Sequence, residues 1–216
     1  MGKTVIRIAV GLIAVAAWSI LGLSLHGGLE PPVDARAHEE SGRLLAQQAL
    51  TCLDSGGDIT VIARDTGTFK NPATDIQLAA FSHVIAKAHA TLHAVHTIQV
   101  DPLRPLSVPS SDFCEIIRNT PEGSVIVSFM GPPQLTAAER ARLGEARPAI
   151  VAFCSGSLPE AQGLRTLFEQ GLLRVAVVDR RGTQASKEGN GVEPSFVALT
   201  ATNLTTLTAW QKTDHP

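Results

Sequence analysis

Five short apolar runs constrain this chain more than any other feature: Ile59–Ala63 (ITVIA), Val95–Val100 (VHTIQV), Val125–Phe129 (VIVSF), Ala149–Phe153 (AIVAF) and Val175–Val178 (VAVV). All but the second are almost free of polar residues. A strand with one wet face alternates apolar and polar side chains. A strand covered on both faces does not, and that is the condition of a parallel sheet held between helical layers. The third and fourth runs begin about 24 residues apart and the fifth follows at a similar interval, room for one helix and two turns, which is the period of a βα unit with a right-handed crossover.

The intervening segments carry helix signals. His38–Leu53 places Leu45, Ala49 and Cys52 on one stripe and stops at Gly56-Gly57. Asn71-Pro72 offers an N-cap and an N1 proline for a helix to about Leu92, with Phe81, Ile85, Ala88 and Leu92 along one side. Ser111 or Asp112 can cap a short helix carrying Phe113, Ile116 and Ile117. Thr136…Glu139 and Ser157…Glu160 are capping boxes, the second opening a helix with Leu164, Leu167 and Phe168 that ends at Gly171. Phe196–Thr200 reads as a final edge strand. The expected fold is a single doubly wound, mostly parallel α/β domain of five or six strands. Its expected order is the flavodoxin-like 2-1-3-4-5, with a switch point between the first and third strands.

The chain has 216 residues, of which 44% are hydrophobic, so it can bury a core and is not intrinsically disordered. Eighteen basic against twenty acidic residues leave no basic footprint for nucleic acid. Ile8–Leu25 is an uncharged apolar run of eighteen residues, just long enough to cross a hydrocarbon core of about 30 Å. Lys3 and Arg7 precede it and no acidic residue occurs before Glu30, so the positive-inside rule puts the N-terminus in the cytoplasm and the rest outside. A cleaved signal peptide is the competing reading, with Ala35-Arg36-Ala37 as its nearest small-x-small site; the run is long for one, which favours an uncleaved anchor. The expected organisation is anchor 1–29, linker 30–37, extracytoplasmic domain 38–201 and flexible tail 202–216. That makes it a single-pass inner (cytoplasmic) membrane protein with a periplasmic domain. Without Lys3 and Arg7 the remainder has 16 basic and 20 acidic residues, a net charge of −4, which does not favour anionic lipid surfaces.

Residues 59–133 resemble the first lobe of type I periplasmic (solute) binding proteins: an apolar strand, a polar turn ending in Asn71-Pro72, a long alanine-rich helix, then a second strand, a short helix and a VIVSF-type strand. The resemblance implies the α/β fold and the binding of a small solute. That family closes two lobes on its ligand, whereas this sequence carries one, which implies an open site or pairing with a second chain.

In such sheets ligands sit at the carboxyl ends of the strands. A ligand there is expected to meet Asp65, Thr66, Gly131, Ser155 and Ser157, with the glycine allowing close backbone approach and Ser157 opening a helix whose free N–H groups suit an anionic or hydroxyl-bearing group. Asp65-Thr66-Gly67 also matches the Asp-Thr-Gly of aspartic proteases, but it is single and lies in an α/β context; a turn aspartate satisfying backbone donors is the plainer reading. Cys52, Cys114 and Cys154 sit among apolar residues and outside any C-x-x-C pair. They read as buried thiols, with one disulfide or a catalytic thiol as alternatives. Cys154 precedes a helix start but lacks the arginine of a C-x5-R loop, since residue 160 is glutamate. His89, His93 and His96 are the only metal candidates, and no carboxylate or thiol nearby in sequence completes a shell. Arg180-Arg181 reads as a solvated turn.

No nucleophile, base and orienter come together as a set. The function expected is therefore a non-catalytic, cofactor-free binding or scaffold domain of the cell envelope, engaging a small molecule, an envelope partner protein or a second copy. A hydrolase or transferase using Cys154 or Asp65, and a structural accessory subunit of a membrane complex, are the alternatives. The topology is directly testable. A reporter fused after Pro216 is expected to be active only if it requires the periplasm; activity of a cytoplasm-dependent reporter there reverses the assignment.

Overall fold

The computed structural model describes residues 33–67, 70–100, 107–144, 147–154, 161–180 and 195–205. The apolar segment Ile8–Leu25 lies outside them. Among the described residues no helix is long and apolar enough to cross a membrane.

The elements run α1 (Ala35–Cys52), β1 (Ile59–Arg64), α2 (Pro72–Lys87), β2 (Leu92–Ile98), α3 (Ser110–Asn119), β3 (Val125–Ser128), α4 (Ala137–Ala141), β4 (Ala149–Cys154), α5 (Ala161–Glu169), β5 (Val175–Asp179) and β6 (Phe196–Leu199). They form one six-stranded sheet in the order β2-β1-β3-β4-β5-β6. All pairs are parallel except β5–β6. The expected order and the edge position of the last strand both appear.

Alternate residues of the central strands feed two separate cores, as the pleat requires. Val61, Val127, Val151, Phe153 and Val177 pack with Leu45, Ala46 and Ala49 of α1 and Phe81 and Ile85 of α2. Ile62, Ile126, Ile150, Ala152 and Val178 pack on the other side with Phe113, Ile116 and Ile117 of α3 and Leu164 of α5. β3 is buried at every position, which is why its sequence shows no alternation. Edge strand β2 is mostly exposed, and its sequence is correspondingly mixed.

The connections explain why α1 is needed. α2 joins β1 to β2 on one face, and after the chain reverses direction the remaining crossovers run over the other. That leaves the first face of β3, β4, β5 and β6 without a crossover helix. α1 lies against those four strands and covers it. The helix starts at Ala35, ahead of the His38 start expected from periodicity and inside the expected linker. Asp34 caps it, accepting from the Ala37 N–H at 3.2 Å, and Ala37 is itself buried.

α1 also crosses α2 at close range. A Cβ on Gly42 would overlap the Gln77 carbonyl oxygen and lie 3.2 Å from the Ala80 Cβ. Beside it the buried Gln77 Nε2 donates to Ser41 Oγ at 2.8 Å, and Ser41 Oγ donates to the His38 carbonyl at 2.9 Å.

Three further boundaries differ from the sequence reading. α2 stops at Lys87 instead of running to about Leu92. His89 takes a left-handed conformation (φ 55°) and donates to Ala86 O, while Ala90 donates to Ile85 O at 3.2 Å. This is a Schellman closure with histidine in the place glycine usually fills. The alanine-rich stretch around Ala86–Ala90 gives no sequence signal for that stop. β2 therefore begins at Leu92, earlier than Val95, held by the Ile59–Leu92 pairing. Leu204, placed in the tail by sequence, is buried in the core, and Asn203 Nδ2 donates to Ala198 O at 3.0 Å.

The α1–α2 crossing yields a prediction. Gly→Ala within a helix ordinarily stabilises by up to about 1 kcal/mol, but here the obstacle is backbone, and overpacking costs about 1–3 kcal/mol. Gly42→Ala is expected to destabilise by a net of up to about 2 kcal/mol and so lower the urea midpoint; an unchanged or raised midpoint would show that the crossing can relax.

Candidate functional site

The carboxyl ends of β1, β3 and β4 lie side by side because these strands are neighbours in the sheet. At the end of β1, Asp65 N donates to Ile98 O at 2.9 Å and extends the pairing with β2. Its carboxylate turns back, with Oδ1 accepting from the Gly67 N–H at 2.8 Å. Thr66 Oγ1 donates to Asp75 Oδ1 at 3.1 Å in the first turn of α2, whose N-cap Asn71 accepts from the Thr74 N–H at 3.3 Å. The β1–α2 loop is thus braced on α2 before it meets any ligand. Asp65 and Thr66 are half-buried.

At the end of β3, Phe129 N donates to Ile62 O at 2.9 Å. The Phe129 ring packs edge-on to Phe81 with centroids 5.6 Å apart. The fully buried Ser128 Oγ accepts from the Met130 N–H at 3.3 Å. Gly131 then adopts φ +96°, which only glycine takes without strain, and a Cβ there would meet nothing within 4 Å. The chain turns at Gly131 with free space where a side chain would stand. Ser155 and Ser157 lie outside the described residues, so Asp65, Thr66 and Gly131 are the three predicted residues whose surroundings are described.

All three cysteines are free thiols. Cys154 closes β4, and burial pushes its thiol up to about 12. Burial likewise raises Cys114 and Cys52, with Arg174 opposing the effect at Cys52. A group that keeps its proton at neutral pH is not an activated nucleophile. Glu139, in the Thr136 capping box, is held below the usual carboxylate range, first by the Ser110 hydroxyl at 2.7 Å and then by Thr136.

The histidines do not form a metal shell. His89 closes α2, while His93 and His96 belong to β2, where a register shift near His93 separates them from the helical geometry a shared face would need. His93 Nδ1 instead lies 3.9 Å from Asp58 Oδ2 on the surface. Among the described residues no group of three or more His, Cys, Asp or Glu side chains could hold a metal ion. Arg180 is not in a solvated turn: it is 7% exposed, and its N–H donates to Ser195 O at 2.8 Å.

One feature has no counterpart in the sequence reading. At the opposite, amino-terminal end of the strands is a cleft of about 710 Å³ lined by Asp54, Glu122, Arg147 and Arg174 among others. These residues come from four separate loops, and no local motif announces them.

No protein-family model and no curated protein matches the sequence. Solved structures match the fold. A periplasmic ribose ABC transporter protein from Conexibacter woesei shares 14% identity over 82% of this chain and 63% of that one, with a TM-score of 0.52. An arabinose-binding protein from Geobacillus stearothermophilus shares 14% over 79% and 63% (TM-score 0.50). The Caulobacter myo-inositol binding protein, bound to myo-inositol, shares 15% over 81% and 62% (TM-score 0.50). The chain spans less than two thirds of the length of each. The resemblance of residues 59–133 to a periplasmic binding protein lobe thus extends to the fold.

The buried thiols predict an alkaline instability. Unfolded thiols titrate near 9.0 and native Cys154 near 12. Below pH 9 both states keep the proton and stability is unaffected. Between those values the unfolded chain binds fewer protons, so stability falls as pH rises. Wild type is expected to lose urea resistance as pH rises above about 9, and Cys154→Ala to lose less. Native protein should not react with iodoacetamide at Cys154 below pH 8; rapid labelling there would restore the thiol as a nucleophile.

Proposed function

We propose that this chain is a membrane-anchored, extracytoplasmic, non-catalytic binding module of the cell envelope, with its primary site at the carboxyl ends of β1, β3 and β4. Residues 8–25 would supply the anchor, leaving the domain on the periplasmic side of the inner membrane. Asp65, Thr66, Gly131, Ser155 and Ser157 would meet the ligand. The observation that carries the reading is the fold match to sugar- and inositol-binding proteins. Gly131 adds local support, because the backbone there carries no side chain and has free space around it at the end of the strand next to β1. The chemistry of the loop suits a hydroxyl-rich small molecule, because a carboxylate and hydroxyls can both accept and donate to it. A second chain, either a copy or an envelope partner, would cover the crevice and raise the affinity. The high proton affinity of Cys154 speaks against the hydrolase or transferase alternative.

The test is ligand-induced thermal stabilisation of the full-length protein by ribose, arabinose and myo-inositol. At least one is expected to raise the melting temperature. Asp65→Ala and Ser157→Ala are each expected to abolish that rise while changing basal stability by only about 1 kcal/mol, the usual size of a lost cap or turn bond. A full response in both variants would move the site elsewhere; no response to any of the three sugars in wild type would remove the sugar reading.

A further inference from the structure

The cleft at the amino-terminal end of the sheet carries four charged side chains, and the topology fixes their order. Glu122 precedes β3, Arg147 precedes β4 and Arg174 precedes β5. Asp54 follows α1 and is held to the Glu122 side, its N–H donating to Gly123 O at 3.1 Å. In the sheet order β1-β3-β4-β5 the carboxylates therefore stand at the β3 side of the cleft, Arg174 two strands away and Arg147 between them.

None of the four takes part in an ion pair within the described residues; the two pairs found there are Arg43–Glu39 and His93–Asp58. Arg147 Nη2 donates to Gln170 O at 3.3 Å, which ties it to the end of α5 and sets its place in the wall. Arg174 is exposed, with its field reaching Cys52. The walls between the charged ends include Phe168 and Ile150.

From this polarity we infer a second ligand site, for a short peptide with free termini. A cation or an anion alone would satisfy one end of the cleft and meet like charge at the other. A molecule bearing both charges satisfies both. Its length follows from the sheet. Neighbouring strands are about 4.8 Å apart, so the step from β3 to β5 is about 10 Å. A free amino acid is too short for that span, whereas two or three extended residues at about 3.3–3.6 Å each fit it. A cleft of about 710 Å³ also lies in the range of small-ligand sites. The α-carboxylate would pair with Arg174 and Arg147, and the α-ammonium with Asp54 and Glu122. This site lies at the opposite end of the strands from Asp65 and Gly131 and does not depend on the sugar reading.

Tri-alanine is a sufficient probe, with N-acetyl-tri-alanine and tri-alanine amide as controls, measured by calorimetry and thermal shift on the full-length protein. Tri-alanine is expected to bind and raise the melting temperature, and each blocked form to bind at least about tenfold more weakly. Arg174→Gln and Asp54→Asn should each weaken tri-alanine at least about tenfold. Both residues are exposed, so the melting temperature without ligand should stay near that of wild type. Asp65→Ala should bind tri-alanine as wild type does. No binding of tri-alanine at millimolar concentration, equal binding of the blocked forms, or loss of binding in Asp65→Ala but not in Arg174→Gln would each overturn the assignment.

Discussion

The fold depends on α1 covering one half of one sheet face. Once the chain passes from β2 over β1 to β3, every later crossover helix lies on the side of Phe113 and Leu164, and the opposite side of β3, β4 and β5 presents Val127, Val151, Phe153 and Val177 with nothing from the crossovers to bury them. A parallel sheet cannot leave such a face in water, because its strands are apolar on both sides. α1 resolves this by lying across β3 to β6. It is fixed against α2 by the Gly42 approach and the Gln77–Ser41 bond. Two helices from different parts of the chain thus form one layer, and the core on that side exists only when both are seated.

The same constraint sets where chemistry can occur. With both faces covered, the open places are the two ends of the strands and the edges. At the carboxyl end, Asp65 follows β1 and Gly131 follows the neighbouring β3. At the amino end, the loops entering β3, β4 and β5, the exit of α1 and the turn after β6 line one cleft, and all but the last contribute a charged residue to it.

What the sequence discloses follows from how local each feature is. The buried strands were legible because two-sided burial removes alternation within a few residues; the crossover period marked them as parallel, and the flavodoxin-like order expected of such a fold is the one found. The Thr136…Glu139 capping box and the Asn71-Pro72 start were legible because capping is a contact over three residues. Asp65 could be placed in a turn on composition alone, and its bond to the Gly67 N–H bears that out. The stop of α2 was not legible, since His89 does work that glycine normally advertises. The role of α1 was not legible either, because periodicity reveals a helix with an apolar stripe and not which half of which face it covers. Arg147, Arg174, Asp54 and Glu122 were invisible as a group because they are scattered along the chain and meet only through the sheet order.

The three thiols acquire meaning from the layering. Cys114 and Cys154 belong to the core on one side of the sheet and Cys52 packs against the core on the other. The sheet therefore stands between Cys52 and both possible partners, acting as an insulating partition between reduced sulfurs. In an oxidising medium the sheet keeps Cys52 from pairing with Cys114 or Cys154, which share the core on its other side. Opening the fold removes the partition and exposes three thiols at once, an odd number that cannot be satisfied within one chain. Excursions from the native state would then be recorded covalently, as mixed disulfides between molecules, so the lifetime of the protein is governed by how rarely the layers separate and not only by the free energy that favours their closure.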